Sequence, residues 1–421
     1  MKPLPRTLLV LMLALRAAAA DTPPAPSANA AALAQEAAVH NPELRFYEAE
    51  LDAARASRRT SGRQALPEVS GSVGQKRSTD AGGGFVGDGV AWSVGVTQSF
   101  EWPGRLGLRK AIADQDVALA ELGLARFRTA LSARVRGQAH ALTAADEKAG
   151  IARRVADRYR ALREVLVQRD PSGITPQLEI RILEATEIGL RRRATGAGLA
   201  ADDARLSLNH LLGRPVDAPL AVAATVAELP SAPRLDALLA AAATHNFELR
   251  LRETELRRQG FRVSLAGNER WPSIKVGPQV TEENADGRDR VIGVGVSFPL
   301  PLWRDNTSDV AAAKARQIQA ETMLGTARRE VERRVVSAAK AYEVKAGEMA
   351  RWSLDSLARF AEAAELADRH YRLAAVPVTT YVELQKQYLE AVETLLDTRR
   401  EAIAAAAELE ELTGLDLLAT P

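Results

Sequence analysis

Two stretches of the chain alternate apolar and polar positions with a period of two. In the first, residues 68–100, Val90, Trp92, Val94, Val96 and Phe100 fall on one face, and Ala91, Ser93, Gly95, Thr97 and Ser99 fall on the other. Val69, Gly71 and Val73 begin a weaker stripe of the same kind. In the second, residues 273–300, Ile292, Val294, Val296 and Phe298 oppose Val291, Gly293, Gly295 and Ser297, and Ile274, Val276 and Val280 form another stripe. Such alternation predicts extended strands with one apolar face and one polar or small face. Each run is about ten residues, the length of a tilted strand that crosses an outer membrane. Gln75 to Gly89, with Gly82-Gly83-Gly84, and Thr281 to Arg290 read as exposed hairpin loops.

Elsewhere the period is helical. Arg105 to Arg169 contains no proline and is rich in Ala, Leu, Arg and Glu. Val117, Leu124 and Leu131 step by seven, with Phe127 and Val135 completing the seam; Leu324, Val331, Val335 and Tyr342 step by seven, four and seven. That is coiled-coil spacing. A continuous helix of this span would measure about 100 Å, too long to fold back into a compact globule.

These elements are written twice, about two hundred residues apart. His40-Asn41-Pro42-Glu43-Leu44 recurs as His245-Asn246-Phe247-Glu248-Leu249, Pro67 as Pro272, Ser93-Val94-Gly95-Val96-Thr97 as Gly293-Val294-Gly295-Val296-Ser297, and Leu211-Leu212-Gly213 as Leu412-Thr413-Gly414. An interval of this length implies duplication of a whole substructure. The expected organisation is a leader over 1–20, a first repeat over 21–215, a proline-marked linker over 216–233 and a second repeat over 234–421. Each repeat starts with one helix, roughly 29–65 and 234–268. A hairpin follows (68–100, 273–300), then a pair of long helices (105–212, 305–413).

The leader is read from Lys2 and Arg6, the apolar run Leu8 to Leu15, and Ala18-Ala19-Ala20 before Asp21, the form of a secretory signal peptide. Removing it takes three of the 56 basic residues and none of the 54 acidic ones, which leaves a net charge of −1. No nucleic-acid footprint remains. Cysteine is absent, so there is no disulfide framework and no residue for N-terminal lipid attachment. No apolar run of eighteen residues follows the leader, so contact with a membrane requires a β-barrel. Four strands cannot close one, and their edges cannot remain unpaired in lipid. Identical subunits must therefore share the wall: two copies give eight strands, three give twelve. Trp92, Trp102, Trp271 and Trp303 lie in or beside the strands, where an aromatic belt at the lipid boundary or a tryptophan-packed β-core would account for them.

The layout resembles the TolC-type outer-membrane factors of efflux and secretion systems. The resemblance is carried by the Asn-Pro-Glu-Leu at 41–44, by Gln98-Ser99-Phe100-Glu101-Trp102-Pro103-Gly104-Arg105, by Val296-Ser297-Phe298-Pro299-Leu300-Pro301-Leu302-Trp303, and by Tyr381-Val382-Glu383-Leu384-Gln385. The Glu-Trp-Pro-Gly-Arg and Phe-Pro-Leu-Pro-Leu-Trp stretches are most similar to the heavy-metal, CzcC-like branch. The resemblance implies a mixed α and β membrane protein: a homotrimer with a 12-stranded barrel, four strands from each chain, and a periplasmic α-helical coiled-coil tunnel. It also implies outer-membrane lipid around the barrel, a periplasmic adaptor and an inner-membrane RND pump as partners, and heavy-metal cations as cargo. Drug efflux or type I secretion would use the same architecture. A periplasmic coiled-coil scaffold or adaptor is the rival from another class.

No catalytic constellation, phosphate loop or cofactor motif is present, so an enzyme is not expected, and no metal or cofactor site is assigned. His40 and His245 occupy equivalent repeat positions and read as helix-start residues. The breaks between the paired helices carry more. Arg169-Asp170-Pro171-Ser172-Gly173-Ile174-Thr175-Pro176 and Leu373-Ala374-Ala375-Val376-Pro377-Val378-Thr379-Thr380 hold the prolines and glycine that stop one helix and start the next. The resemblance makes Gly173, Ile174, Thr175, Val376, Pro377 and Val378 the tips that touch the adaptor. Asp170 and Asp368, with Arg169 and Arg369 beside them, are candidates for a charged constriction that gates the tunnel.

Overall fold

The period-two stretches form one antiparallel sheet. The structure, a computed structural model, describes residues 28–168, 174–223, 229–300, 306–351, 354–373 and 375–417. Strands β1 (Glu68–Thr79), β2 (Phe85–Phe100), β3 (Ile274–Asn284) and β4 (Arg288–Ser297) lie side by side in the order β1-β2-β3-β4. Glu68 pairs with Thr97, Phe100 with Ile274 and Lys275 with Ser297 at one end; Arg77 pairs with Asp88 and Asn284 with Arg288 at the other. Both hairpin tips therefore lie at one end of the sheet, and all four junctions to helices at the other.

The strands run further than the expected loops allowed. Lys76, Arg77, Asp88, Glu282, Glu283, Arg288 and Arg290 all sit in the ladder. Their polarity does not end the strand, because the ladder is made by backbone groups that every non-proline residue carries. The first turn is tightened to Asp80–Gly84. The Asp80 carboxylate accepts from the N–H groups of Gly82 and Gly84 at 2.9 and 2.7 Å, and Gly83 takes φ 84°. That conformation favours glycine.

Nine helices are described: α1 (Ala30–His40), α2 (Leu44–Ser61), α3 (Arg105–Gln168), α4 (Ile174–Leu212), α5 (Leu235–His245), α6 (Phe247–Asn268), α7 (Thr307–Arg351), α8 (Leu354–Arg372) and α9 (Val378–Thr413). The single helices expected over 29–65 and 234–268 are each two. The break falls at the His-Asn motif, where the Asn246 side chain accepts from the N–H groups of Glu248 and Leu249 and donates to the Leu412 carbonyl at 3.0 Å. Asn41 likewise accepts from the Glu43 N–H at 2.9 Å. An asparagine in this role starts a new helix and ends the old one. Gly213 and Gly414 each follow a long helix with φ 69°, the left-handed stop for which glycine is suited.

The compact units do not follow the two halves of the chain. One comprises Met1–His40, Arg134–Glu228 and Trp352–Arg400; the other comprises Asn41–Ala133, Leu229–Arg351 and Glu401–Pro421. The first is helical. Its core is built from Ile151, Val155, Tyr159 and Leu162 of α3, Leu183 and Leu190 of α4, Tyr371 of α8, and Tyr381, Leu389, Val392 and Leu396 of α9. The second holds the sheet. Its main helical core joins Leu238 of α5 and Leu249 of α6 to Val331, Val335 and Tyr342 of α7 and Leu409 and Leu412 of α9. No described helix is long and apolar enough to cross a membrane. The proposed leader lies outside the described residues.

Candidate functional site

Register decides which side chains share a face of the sheet. Val69 pairs with Val96, Val94 with Val280, and Val280 with Ile292. Following those partners along each strand, the stripes of all four fall on one face: Val69 and Val73; Val90, Trp92, Val94, Val96 and Phe100; Ile274, Val276 and Val280; Ile292, Val294 and Val296. This face is open. Val73, Ile292 and Val294 are 78%, 74% and 70% exposed. Among the described residues the strands pack chiefly against one another. An apolar patch of this size on a soluble surface marks a membrane or partner site.

The opposite face is small and polar: Ser70, Ser72 and Gly74; Gly87, Gly89, Ala91, Ser93, Gly95, Thr97 and Ser99; Thr281; Gly293 and Gly295. Val291 is its apolar exception. The Ser72 and Ser93 hydroxyls meet at 2.9 Å. Lys76 bridges to Glu283 at 2.6 Å, and Lys275 to Glu68 at 2.7 Å, each reaching over the small residues of β2. Gly277 permits a close approach of β2 and β3, since a Cβ there would collide with the Val96 carbonyl.

At the helix end of the sheet, Arg105 is buried and ties two junctions together. Its guanidinium donates to Glu101 at 2.7 Å, to the Asn268 side chain and carbonyl at 3.1 Å each, and to the Trp271 carbonyl at 2.5 Å. Glu101 also accepts from Arg109 at 3.0 Å. Burial works against the Glu101 charge, but the two arginines overcome it and hold the carboxyl below its ordinary range. Trp102 stacks on Trp271 with centroids 4.8 Å apart, and Arg270 lies over the Trp271 ring at 4.9 Å. The Glu-Trp-Pro-Gly-Arg segment thus acts as a clamp between the β2–α3 and α6–β3 turns. Its i,i+4 carboxylate and guanidinium were the only sequence signal for it.

The α8–α9 turn sits on an aromatic cluster. Tyr381 packs against Tyr159 and Tyr371 at 5.4 and 5.1 Å. Tyr159 donates to the Val382 carbonyl, Tyr371 to Glu179 and Tyr381 to Asp368, at 3.3, 3.3 and 3.4 Å. Burial pushes the Tyr159 and Tyr381 hydroxyls above their ordinary range, so both stay protonated donors. Asp368 is largely covered, and its ion-pair partner is Arg372 at 2.9 Å. Arg369, expected as a partner, is one residue on; Arg372 is the i,i+4 neighbour on the same helix face. Val378 is only 4% exposed and belongs to the core beneath the turn, with Val376 packed against it; Pro377 is exposed. Leu373, passed over in the sequence as turn chemistry, is 77% exposed. Ile174 and Thr175 open α4. Asp170, Gly173 and Trp303 lie outside the described residues.

An open sheet with one apolar and one polar face is thus joined through a pinned junction to very long helices. Residues 33–214 match the family model described as outer membrane efflux protein. Its members are transport ducts and not enzymes, and they work with adaptor and RND-pump partners in tripartite systems. The fold is that of the CmeC outer membrane channel of Campylobacter jejuni, with TM-score 0.75 and 15% identity over 92% of this chain and 85% of that one. It is also that of the open-state MtrE outer membrane channel of Neisseria gonorrhoeae, with TM-score 0.72 and 18% identity over 92% and 89%. CusC, studied for conformational changes accompanying folding and transmembrane channel formation, gives 0.70 and 18% over 91% and 92%. The comparison with curated proteins finds no match.

Proposed function

We propose that this chain is the exit duct of a tripartite RND-type efflux system. It would assemble as a homotrimer whose strands close one 12-stranded barrel and whose helices form the periplasmic tunnel. The observation that supports this most is the shared apolar face with two free edges, the outer sides of β1 and β4. Lipid would cover the face, and neighbouring copies would pair the edges. The tryptophans fit the same picture. Ten residues separate Trp92 from Trp102, about 33 Å of extended chain, or about 25 Å along the normal at a tilt of about 40°, the height of an outer-membrane apolar band.

The adaptor would dock at the α3–α4 and α8–α9 turns, with Leu373 and Pro377 as contacts and Val376 and Val378 holding the turn in shape. Asp368 would contribute to the gate. Heavy-metal cations are the cargo, a reading that rests on the similarity of Glu101–Arg105 and Phe298–Trp303 to the CzcC-like branch. The first test is extraction: the full chain should stay in membranes through carbonate washing and come out with detergent, and release by carbonate would refute the barrel. In planar bilayers, Asp368→Ala should raise conductance; no change removes this residue from the gate. Deleting the gene should sensitise cells to divalent metals, whereas sensitivity to organic toxicants alone would reassign the cargo to drugs.

A further inference from the structure

Beyond the level of Trp92 the apolar face changes character. On that same face, towards the hairpin tips, lie Gln75 and Arg77 of β1, Asp88 of β2, Glu282 and Asn284 of β3, and Arg288 and Arg290 of β4. Glu282 pairs directly across with Arg290 and with Trp92, so the charged cluster starts on the rung where the tryptophan sits. Its carboxylate accepts from Arg288 at 2.7 Å and from Arg290 at 2.8 Å. The carboxylate side chain is 4% exposed, while the two arginines are 67% and 55% exposed. A covered anion thus anchors two guanidinium groups that remain largely exposed. Arg77 lies over the Phe85 ring at 5.1 Å and is exposed. Three cations and two carboxylates leave this face with a positive surplus. On the other face at the same level, Lys76 is matched by Glu283 and Asp289, and no such surplus exists.

We propose that Arg288 and Arg290, held by Glu282 and assisted by Arg77, bind the phosphate of an anionic lipid headgroup in the membrane leaflet nearest the hairpin tips. The occupant follows from continuity. Whatever reaches these arginines lies against the uninterrupted apolar stripe of Val94, Val280 and Ile292, so it must carry an anion at one end and hydrocarbon at the other. Guanidinium groups suit a phosphate because their planar donors meet two oxygens at once. Anchoring by Glu282 keeps both in place before the lipid arrives, which lowers the ordering cost of binding. The proposal rests on the barrel reading and adds to it a specific lipid chemistry on one side.

The test uses the full chain reconstituted into phosphatidylcholine vesicles. The vesicles are doped with a diphosphorylated acylated glucosamine disaccharide or with its dephosphorylated form, and lipid retained after detergent extraction is counted by mass spectrometry. Each basic residue at an anionic surface is worth roughly fivefold in binding, and Glu282 offsets part of the pair. The wild type should therefore favour the phosphorylated lipid by at least about fivefold. Arg288→Gln with Arg290→Gln should bring the preference to within about twofold. Because that pair leaves Glu282 without a counter-charge, the triple variant with Glu282→Gln is measured alongside and should behave the same. Lys275→Gln, on the other face and at the other end, should keep the preference. A wild type that inserts but shows no preference overturns the headgroup site, as does full displacement of the lipid by millimolar inorganic phosphate. A chain that inserts into neither vesicle overturns the barrel reading instead.

Discussion

The sheet and the helical core of the first unit use apolar residues in opposite directions. In the helices Leu183, Leu389 and Val392 are fully buried, and the amide N–H of the buried Gln385 donates to the Ala364 carbonyl at 2.7 Å. In the sheet the apolar stripe lies on an open face, while glycine, serine and threonine take the other. Water organises the first, since burial removes apolar area from it. The second leaves apolar area uncovered in the single chain, which the proposed barrel would place against lipid.

That contrast can be attacked from either side. The largest effect is expected in the helices: Leu183→Ala should cost about 2–5 kcal/mol, read as a lowered denaturation midpoint, whereas exposed Leu199→Ala should stay within about 0.5 kcal/mol. In the sheet, Val94→Arg should cost about 2–4 kcal/mol per chain in lipid, with loss of membrane insertion. Ser93→Arg on the polar face should insert normally. If Val94→Arg instead improves solubility and leaves folding intact, the face is a water-exposed surface and the comparison fails. A smaller effect is expected at the helix stops, where a side chain must accept positive φ: Gly414→Ala should cost about 1–2 kcal/mol, measured by thermal unfolding.

The smallest concerns the Glu36–Arg214 pair, which links α1 to the residue after the Gly213 stop at 2.6 Å. The Arg214 hydrogen bond holds the Glu36 carboxyl below its ordinary range. Its contribution is therefore complete above the ordinary carboxylate pKa and fades as pH falls through the lowered value. Both groups are partly exposed, so the effect is about 0.2–1 kcal/mol and screened by salt. Glu36→Gln should remove that part of the acid dependence in unfolding curves taken across that range.

Much of the sheet was legible in the sequence, because a period of two needs no tertiary knowledge. The four stripes and the prolonged helix after Arg105 follow from side-chain spacing. The His-Asn motifs were visible as repeats, but their histidines, expected as helix-start residues, end α1 and α5 instead. Their role depends on the Asn246 bond to the Leu412 carbonyl, between residues far apart in the chain. The charged ends of the strands were taken for loops, since composition is silent on backbone pairing. The Arg372 partner of Asp368, the Arg105 clamp and the Glu282 anchor all depend on which side chains arrive together.

Periodicity is a property of neighbours along the chain, and the sequence alone determined it: strands with two unlike faces, helices with seams, and too few strands to close. Direction is a property of packing, and only the tertiary structure decided it. The register set all four stripes on one side, and among the described residues that side is left uncovered.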